Sequence, residues 1–348
     1  MKSEPTLNVP TLSYIIPTLN SERYLGNCLR SIRMQDFDVA QYEILIADGG
    51  SRDATVRIAK EFEATILDAR GLLAEASKGL ALRQARGQYI AMVDTDNEIV
   101  SPAWMQRVTQ ALAAHPEALG FESYYVKRPG GPLLNRYLTG LLQISDPIAR
   151  TMAGRLTLLS RSPEGVEAYR MPLDGSHPTG ANGFVFHRRL FERSPGGVPF
   201  HEAAFFPALV HAGCNRLLKR RDCCVYHDYT DGWMHYLRKR RRMVINYLLR
   251  RQEVPVTWDS NRSPFALPLA FLYHATVVGP LLSSCYRACR ERDPDWLIAP
   301  IVSPWSCLGT ALGVLDYLKQ KDTASRKRLS MKLNTGAEAL EAPTEKMP

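Results

Sequence analysis

The chain has 348 residues, of which 45% are hydrophobic and 23% are charged, and its formal net charge is +9 at pH 7. This composition excludes an intrinsically disordered chain, and the length allows one large core or two domains. The positive charge is concentrated at residues 216–221 and 238–242, with Arg250 and Arg251 close behind. Such blocks bind nucleic acid, phosphate-bearing ligands or an anionic membrane surface, and charge alone does not distinguish these partners.

The seven cysteines include no Cys-x-x-Cys pair, and the polar N-terminus has no signal-peptide pattern. Both features predict a protein of the reducing cytoplasm. The sequence also contains no Gly-x-Gly-x-x-Gly motif and no Gly-x-x-x-x-Gly-Lys-Ser/Thr motif. This argues against dinucleotide binding of the Rossmann type and against P-loop phosphoryl transfer.

The first third of the chain alternates between apolar runs and segments with helical periodicity. Short apolar runs predict strands at residues 12–16, 42–47, 64–67 and 89–93. Apolar residues at helical spacing follow each strand, as at Leu25, Leu29 and Ile32 after the first. Such alternation is typical of βαβ units that build a mostly parallel sheet.

Polar side chains follow three of these strands at the point where the apolar run ends. The groups are Asn20 with Glu22, Asp48 with Ser51 and Asp53, and Asp94 with Asp96. Because the carboxyl ends of parallel strands share one edge of the sheet, we expect these groups to form one site. Two carboxylates one residue apart can hold a hard cation that also binds phosphate oxygens.

The pattern Asp-x-Asp occurs three times, and two of the three copies lie in polar turns. Only the pair Asp94 and Asp96 ends a strand that looks buried, where unpaired carboxylates are costly. Ser101 and Pro102 then predict that a helix begins directly after this pair. The sequence therefore predicts a strand-to-helix corner that carries the two acids.

Four segments in this order resemble the N-terminal part of the GT-A fold, family 2 glycosyltransferases. They are PTLNSE at residues 17–22, ADGGSRDAT at 47–55, Arg83 with Gly87, and MVDTDNE at 92–98. The resemblance covers residues 10–125 closely and 175–230 more loosely. It implies an α/β fold of the GT-A type, with a Rossmann-like, mostly parallel central sheet flanked by helices. A membrane-associated helical region is expected toward the C-terminus.

The resemblance implies a donor site for a UDP- or GDP-sugar at the predicted sheet edge. In relatives the matching segments hold the base, the ribose and the diphosphate, together with Mg²⁺ or Mn²⁺. The metal ligands expected here are Asp96 and, at the end of a later strand, His227. Breaking the anomeric bond places charge on the diphosphate leaving group, and a divalent cation stabilises it. The donor-binding residues implied in this way are Pro17, Thr18, Asn20, Glu22, Asp48, Gly50, Ser51, Arg83, Asp94, Thr95 and Asp96.

Residues 178–184 resemble the acceptor-side loop of the family, which places Gly180, Asn182 and Gly183 near the acceptor. Arg240 is predicted to bind a phosphate, either of the donor or of a lipid. The surrounding sequence lacks the Gln-x-x-Arg-Trp motif of the processive synthases. Its absence favours the transfer of a single sugar.

Residues 200–204 read FHEAA and occupy the place of the Glu-Asp catalytic motif of the family. Ala203 stands where the second acid is expected, so the chain departs from the family pattern at this point. A general base must take a proton from the acceptor hydroxyl. Glu202 is the best candidate for this base, and His201 is the alternative.

Two long segments without charged side chains suggest contact with a membrane. Residues 263–286 and 296–315 contain no Asp, Glu, Lys or Arg, and each has about the length of a membrane span. Prolines interrupt both, and the connecting loop 287–295 carries three arginines, which disfavours its translocation. We expect helices lying at the cytoplasmic face of the inner membrane, with the basic blocks facing anionic lipid. A transmembrane hairpin and a buried oligomer interface are the alternatives.

The sequence thus predicts four regions. They are the nucleotide-sugar-binding half of a GT-A domain at residues 1–126, its acceptor-side half at 127–235, basic and hydrophobic membrane-associated helices at 236–321, and a disordered tail at 322–348. The predicted function is inverting, metal-dependent transfer of one sugar to a lipid-linked or glycan acceptor in cell-envelope or exopolysaccharide assembly, without a nucleic-acid partner. The alternatives are a GT-A-like nucleotidyltransferase and a non-catalytic protein that binds membrane or nucleic acid.

Overall fold

The computed structural model describes residues 10–141, 144–173, 177–192, 200–253 and 265–335. The strands in these ranges are β1 (Leu12–Thr18), β2 (Tyr42–Asp48), β3 (Thr65–Asp68), β4 (Tyr89–Met92), β5 (Asn97–Ile99), β6 (Gly120–Glu122), β7 (Tyr124–Tyr125), β8 (Thr157–Arg161), β9 (Val166–Arg170), β10 (Phe184–His187), β11 (Arg216–Arg220) and β12 (Cys224–His227).

The helices fall between these strands and after the last of them. They are α1 (Glu22–Arg33), α2 (Thr55–Glu61), α3 (Ala74–Gln84), α4 (Trp104–Ala114), α5 (Leu133–Gly140), α6 (Pro147–Met152), α7 (Arg189–Glu192), α8 (Glu202–His211), α9 (Trp233–Glu253), α10 (Ala266–Ala275), α11 (Val278–Glu291), α12 (Ala299–Lys319) and α13 (Thr323–Thr335). Short 3₁₀ turns lie at Val39–Gln41 and Pro294–Ile298.

A nine-stranded sheet in the order β3-β2-β1-β4-β10-β6-β11-β9-β8 organises the protein, and β5-β12-β7 form a small second sheet. The first four strands are parallel, as the alternation of strands and helices predicts. β10 runs antiparallel to both of its neighbours, and the β8–β9 hairpin closes the far edge. The predicted α/β fold is confirmed, and the sheet is parallel in its first half and mixed as a whole.

β1 lies in the middle of the parallel half because its residues are apolar on both faces. Tyr14 and Ile16 are fully buried in the core on one side of the sheet, and Ile15 is fully buried in the core on the other. Next to this strand the chain passes through Gly87, where a Cβ would lie only 2.5 Å from the backbone nitrogen of Ser13. The close approach of these two backbones therefore requires glycine.

The segment after Asp94 differs from the predicted strand-to-helix corner. β5 lies between the acid pair and α4, and it pairs with β12 in the small sheet. α4 begins at Trp104, so the predicted helix start at Pro102 is wrong by two residues. The pairing partner of β5 is more than 120 residues away in the sequence, and local patterns carry no information about it.

The alternating sequence of residues 119–126 predicts a single strand, and the structure divides it between the two sheets, with β6 in the large one and β7 in the small one. Ser123 lies between them, accepting a hydrogen bond from Trp104 Nε1 at 2.9 Å and donating one to the Gly183 carbonyl at 2.8 Å. Gly130, Gly131 and Pro132 predict a flexible loop at residues 128–170, but the described part of this range contains α5, α6 and the β8–β9 hairpin.

The C-terminal helices are attached to the sheet domain through a buried charge pair. Asp146 caps the N-terminus of α6 and is fully buried. Its carboxylate accepts a hydrogen bond from Ser306 on α12 and pairs with the Arg240 guanidinium on α9 at 3.2 Å. A Cβ at Gly309 would lie 2.9 Å from Arg240 Cβ, so α9 and α12 are in tight contact.

Within the described ranges, one helical segment is long and apolar enough to cross a membrane. It is Pro294–Lys319, and 44% of its most apolar 18-residue stretch is buried inside the protein. α10 and α11 are long and apolar enough to cross a membrane only if they are counted as one segment. The two helices are bent by 81° relative to one another. The apolar run at residues 263–286 therefore contains a sharp corner rather than one straight helix.

Two further predictions are corrected by the structure. Residues 323–335, assigned to a disordered tail, form α13, whose Ser330 is hydrogen-bonded to Asn246 of α9. The first basic block lies in strand β11, where Lys219 is buried and its ammonium donates to Glu122 at 2.8 Å. Lys219 of this block is thus neutralised inside the protein and cannot itself face lipid.

We predict opposite stability effects for alanine at two glycines. Gly87→Ala should lower the free energy of unfolding by about 2–3 kcal/mol, because the added methyl group overlaps the β1 backbone. Gly26→Ala should raise it by about 0.5–1 kcal/mol, because Gly26 is inside α1 and the nearest atom to its added Cβ is 3.9 Å away. Urea unfolding monitored by circular dichroism measures both, and equal effects would contradict the described packing.

Candidate active site

The loops that follow β1 and β2 are organised around the carboxylate of Asp48. Its two oxygens accept hydrogen bonds from the backbone nitrogens of Gly50 and Ser51 at 3.0 Å, from Ser51 Oγ at 2.5 Å and from Thr18 Oγ1 at 3.2 Å. Gly50 has a φ of +95°, and a Cβ there would lie 2.8 Å from the Arg70 side chain. Asp48 therefore fixes the shape of the loop that the sequence predicts to hold the donor base.

The same two loops are tied together by reciprocal hydrogen bonds. The backbone nitrogen of Asn20 donates to Ser51 Oγ at 2.9 Å, and Asn20 Oδ1 accepts from the Arg52 backbone at 2.9 Å. Asp53 Oδ2 accepts a hydrogen bond from the Glu22 backbone at 3.1 Å, and Glu22 Oε2 accepts one from the Ala54 backbone at 2.9 Å. The strand ends are thus held side by side, with Pro17 half-buried in β1 beneath them.

Asp94 and Asp96 lie in a turn between β4 and β5, with Thr95 half-buried between them. Asn97 holds the turn by accepting a hydrogen bond from the Asp94 backbone at 2.9 Å. The Asp96 carboxylate meets two side chains through one oxygen, Oδ2. His227 Nε2 lies 3.6 Å from this atom and Lys239 Nζ lies 3.2 Å from it. The turn therefore joins the acid motif to the end of β12 and to α9.

These contacts also decide the ionisation of Asp96. Burial acts to raise the pKa of its carboxyl, but Lys239 and His227 outweigh burial and hold the pKa well below its usual range. The His227 ring is itself buried and packs edge-on against Tyr125 and Tyr229, which fixes its orientation. An ionised carboxylate and an imidazole thus converge, a donor set that suits Mn²⁺.

The described residues contain no group of three or more His, Cys, Asp or Glu side chains arranged for a metal ion. Asp96 and His227 would supply two ligands, and further ligands would have to come from a bound molecule. The ammonium of Lys239 lies against the same carboxylate oxygen. The donor chemistry fits a divalent cation, provided that Lys239 moves away from Asp96.

A second cluster of charges lies beside Asp94 and is centred on Lys78 of α3. Lys78 is buried, and its Nζ lies 2.5 Å from Glu202 Oε1 and 3.3 Å from Asp94 Oδ1. Glu75, one turn earlier on α3, accepts a hydrogen bond from the backbone nitrogen of Glu202 at 2.8 Å. One buried ammonium therefore holds the predicted base next to the predicted donor aspartate.

Burial raises the pKa of Glu202 to about 8. Lys78 opposes this shift, while Glu75 and Asp94 add to it. Burial acts to lower the pKa of Lys78, but the three surrounding carboxylates outweigh it and raise the pKa above its usual value. The cluster thus contains a carboxyl group whose protonation changes near neutral pH, as proton transfer requires.

Glycines allow the acceptor-side loop to approach this cluster. A Cβ at Gly180 would lie 2.2 Å from the Phe206 ring and 3.4 Å from Glu202 Cγ, and one at Gly79 would lie 2.9 Å from Phe200 Cβ. Gly180 has a φ of +112°, which favours glycine for a second reason.

The other two residues predicted on the acceptor side lie at the base of the same loop. Gly183 has a φ of +82° and donates a backbone hydrogen bond to the Met92 carbonyl at 2.8 Å, which attaches the loop to β4. Asn182 adopts a φ of +53°, and its side chain lies by the buried Tyr125 hydroxyl. The loop is thus fixed between β4 and the small sheet.

The remaining predicted residues are Arg240, Arg83 and His201. Arg240 is turned toward α12, where its Nε donates to Thr310 Oγ1 at 3.1 Å and pairs with Asp146. This buried pairing accounts for its charge, and the structure does not bring it to the acids. Arg83 is exposed on α3, with its guanidinium beside Gly79. His201 directly precedes α8 and is half-buried.

Sequence reasoning missed Lys78 and Lys239, the two cations of the site. A signal for Lys78 exists, because it lies three, four and seven residues before the buried Ala81, Leu82 and Ala85. A lysine on the apolar side of a helix needs a buried partner. For Lys239 the relevant contacts come from other elements, and the block RKRRR does not reveal which of its members faces the acids.

Comparisons with known proteins agree with this architecture. Residues 13–160 match the family described as Glycosyl transferase family 2. Glycosyltransferase AglE of Haloferax volcanii is 29% identical over 142 residues, which are 38% of this chain and 45% of that protein. Glucosyl-3-phosphoglycerate synthase of Petrotoga mobilis is 29% identical over 182 residues, which are 44% of this chain and 55% of that protein. The chain thus spans about half the length of these relatives.

Among solved structures, the mannosyltransferase PcManGT from Pyrobaculum calidifontis, in complex with GDP-Man and Mn²⁺, has a similar fold. The TM-score is 0.52 at 17% sequence identity, and the alignment covers 90% of this chain and 88% of that one. At this identity the similarity concerns the fold. Residues 13–160, less than half of the chain, thus match glycosyl transferase family 2, and the chain has a GT-A-like α/β fold.

Proposed function

We propose that the protein transfers a single sugar from a UDP- or GDP-sugar to an acceptor hydroxyl, with inversion at the anomeric carbon. The observation that carries this proposal is the position of Glu202, held by Lys78 beside Asp94 at the carboxyl end of β4. A candidate base thus lies next to the acids that the family uses for the donor. The names of the relatives support glycosyl transfer, and the PcManGT complex with GDP-Man and Mn²⁺ supports a nucleotide-sugar donor and a divalent cation.

The proposed donor site extends from the Asp48 loop to the Asp94–Asp96 turn. Asp96 and His227 would hold Mn²⁺ or Mg²⁺, and a divalent cation bound there supplies positive charge for the diphosphate leaving group. The cross-tied loops after β1 and β2 keep the nucleotide side of the site rigid, so little ordering is required on binding.

Glu202 takes the proton from the acceptor hydroxyl as the hydroxyl oxygen bonds to the anomeric carbon. The bond between that carbon and the phosphate oxygen breaks at the same time, and the nucleoside diphosphate leaves. Since the carboxyl lies in a buried position where burial favours its neutral form, it is a stronger base than an exposed glutamate. Lys78 keeps a share of it ionised and fixes its direction.

The acceptor is proposed to be lipid-linked or a glycan at the cytoplasmic face of a membrane. The support is a group of exposed apolar side chains on α10 and α11. It comprises Leu267, Leu269, Leu272, Tyr273, Val278, Leu281, Leu282 and Tyr286. Eight exposed large apolar side chains on two consecutive helices favour contact with an apolar partner, and arginines follow at the end of α11.

The first prediction concerns the donor site. Asp96→Asn should lower Mn²⁺-dependent release of UDP or GDP from a panel of nucleotide-sugars by about 10²–10³-fold, because the carboxylate that would hold the cation is lost. Asp36→Asn, in an exposed copy of the same motif, is the matched control and should keep full activity. If no sugar-nucleotide is consumed by the unaltered protein, or if both variants behave alike, the proposed function is wrong.

The second prediction concerns the base. Glu202→Gln should lower turnover by about 10²–10⁴-fold while the affinity for the donor is largely kept. In the unaltered protein the rate should increase as the pH rises toward about 8, because the base acts in its deprotonated form. His201→Gln tests the alternative base. Loss of turnover in that variant alone would transfer the role to His201.

The third prediction concerns the membrane. Leu282→Asp should abolish co-flotation of the full chain with vesicles containing phosphatidylglycerol, since a charge at this 68% exposed position cannot enter the acyl region. Met34→Asp, at a 64% exposed position on the opposite half of the fold, is the control. Binding that survives Leu282→Asp, or is absent from the unaltered chain, would exclude this surface as a membrane contact.

A further inference from the structure

One face of α9 carries four basic side chains, and one of them, Lys239, contacts the acid turn. His235, Arg238, Lys239 and Arg242 are spaced three, one and three residues apart, so they form a single stripe along the helix. The neighbours between them, Arg240 and Arg241, lie on another face and pair with Asp146 and Asp316.

Lys239 is the member of this stripe that reaches Asp96. Its Nζ lies 3.2 Å from Asp96 Oδ2 and 2.9 Å from the Tyr229 carbonyl, and it sits 3.9 Å from the centre of the Tyr229 ring. His227 Nε2 approaches the same carboxylate oxygen at 3.6 Å. The ammonium thus occupies the coordination side of the carboxylate that a metal ion would need. Two cations cannot share that oxygen without strong repulsion.

His235 Nδ1 lies 3.2 Å from Asp231 Oδ2, whereas Arg242 and Arg238 have guanidinium atoms without partners in the described part of the chain. Arg242 forms no hydrogen bond or ion pair with another described residue, and burial lowers its pKa despite the attraction of Asp96 and Asp94. In Arg238 the Nε atom is buried and has no hydrogen-bond partner within the described part of the chain. Guanidinium groups in this state are suited to a phosphate, which accepts several hydrogen bonds at once.

We propose that Lys239 is a tethered cation that competes with the divalent cation for Asp96 and moves onto the diphosphate when cation and nucleotide bind together. This rests on the proposed function, because it assumes a donor that brings both a cation and a diphosphate. The flexible four-carbon stem of lysine allows the move, and Arg238 and Arg242 provide the positive surface that receives the phosphates.

The consequence is that the cation and the diphosphate bind cooperatively, whereas each alone binds weakly. Without a diphosphate, an incoming cation must displace Lys239 and leaves its ammonium without a partner. Without a cation, a diphosphate meets an ammonium that is still held by Asp96. Binding of the cation or of the diphosphate thus removes the free-energy cost of separating Lys239 from Asp96 for the other ligand. The two ligands are therefore coupled.

The test measures binding rather than turnover. Mn²⁺ alone is titrated into the full chain by calorimetry, and Lys239→Met should bind it about tenfold more tightly than the unaltered protein. Pyrophosphate is titrated separately in metal-free buffer, and Lys239→Met should bind it about tenfold more weakly. Lys239→Arg keeps the charge and should keep the weak Mn²⁺ binding.

Lys319→Met is the matched control, because it removes the same charge from an exposed position at the end of α12. It should leave both affinities unchanged. Unchanged or weaker Mn²⁺ binding in Lys239→Met would overturn the proposal, and Lys239→Gln gives the same test if the methionine variant does not fold. Tighter Mn²⁺ binding without any sugar transfer would leave this inference standing and reject the proposed function.

Discussion

The candidate site depends on the ammonium of Lys78. This group is buried and joins three elements that are distant in the sequence, namely α3, the end of β4 and the start of α8. Burying Asp94 and Glu202 beside one another would be costly without a cation between them. The adjacent Gly79 has no side chain, which lets the segment before Glu202 lie directly on α3. Lys78 thus fixes the position of the candidate base, whereas burial is the main cause of its raised pKa.

Several basic side chains that the net charge of +9 would suggest for the surface are instead paired inside the protein. Lys78, Lys219 and Arg240 are each paired with carboxylates in buried positions. These pairs neutralise the acids that hold the sheet, the loops and the C-terminal helices together. The more unusual surface is apolar and lies on α10 and α11. Clusters of basic residues in the sequence were therefore a poor guide to the surface.

The sequence predicted what depends on local patterns and missed what depends on distant contacts. The four parallel strands and the polar groups after three of them could be predicted, because apolar runs and turn residues are local features. β5 and the division of the strand at Ser123 could not, since both depend on pairing with β12. The helical phase of α9 places Arg240 with the buried Tyr236 and Val244, but no local pattern identifies Asp96 as the partner of Lys239. The family resemblance supplied the residue roles, and these roles are still predictions.

α9 connects the two parts of the molecule for which function is proposed. One face brings Lys239 to Asp96, and a neighbouring face packs on α12 through Arg240 and Gly309. α10 and α11, which carry the exposed apolar side chains, follow α9 in the chain, and α10 contacts α12 through His274 and Ser303. Because Gly309 leaves no space between α9 and α12, a displacement of α12 cannot be absorbed at that contact. The proposed membrane surface and the cation site are therefore positioned by the same rigid helix.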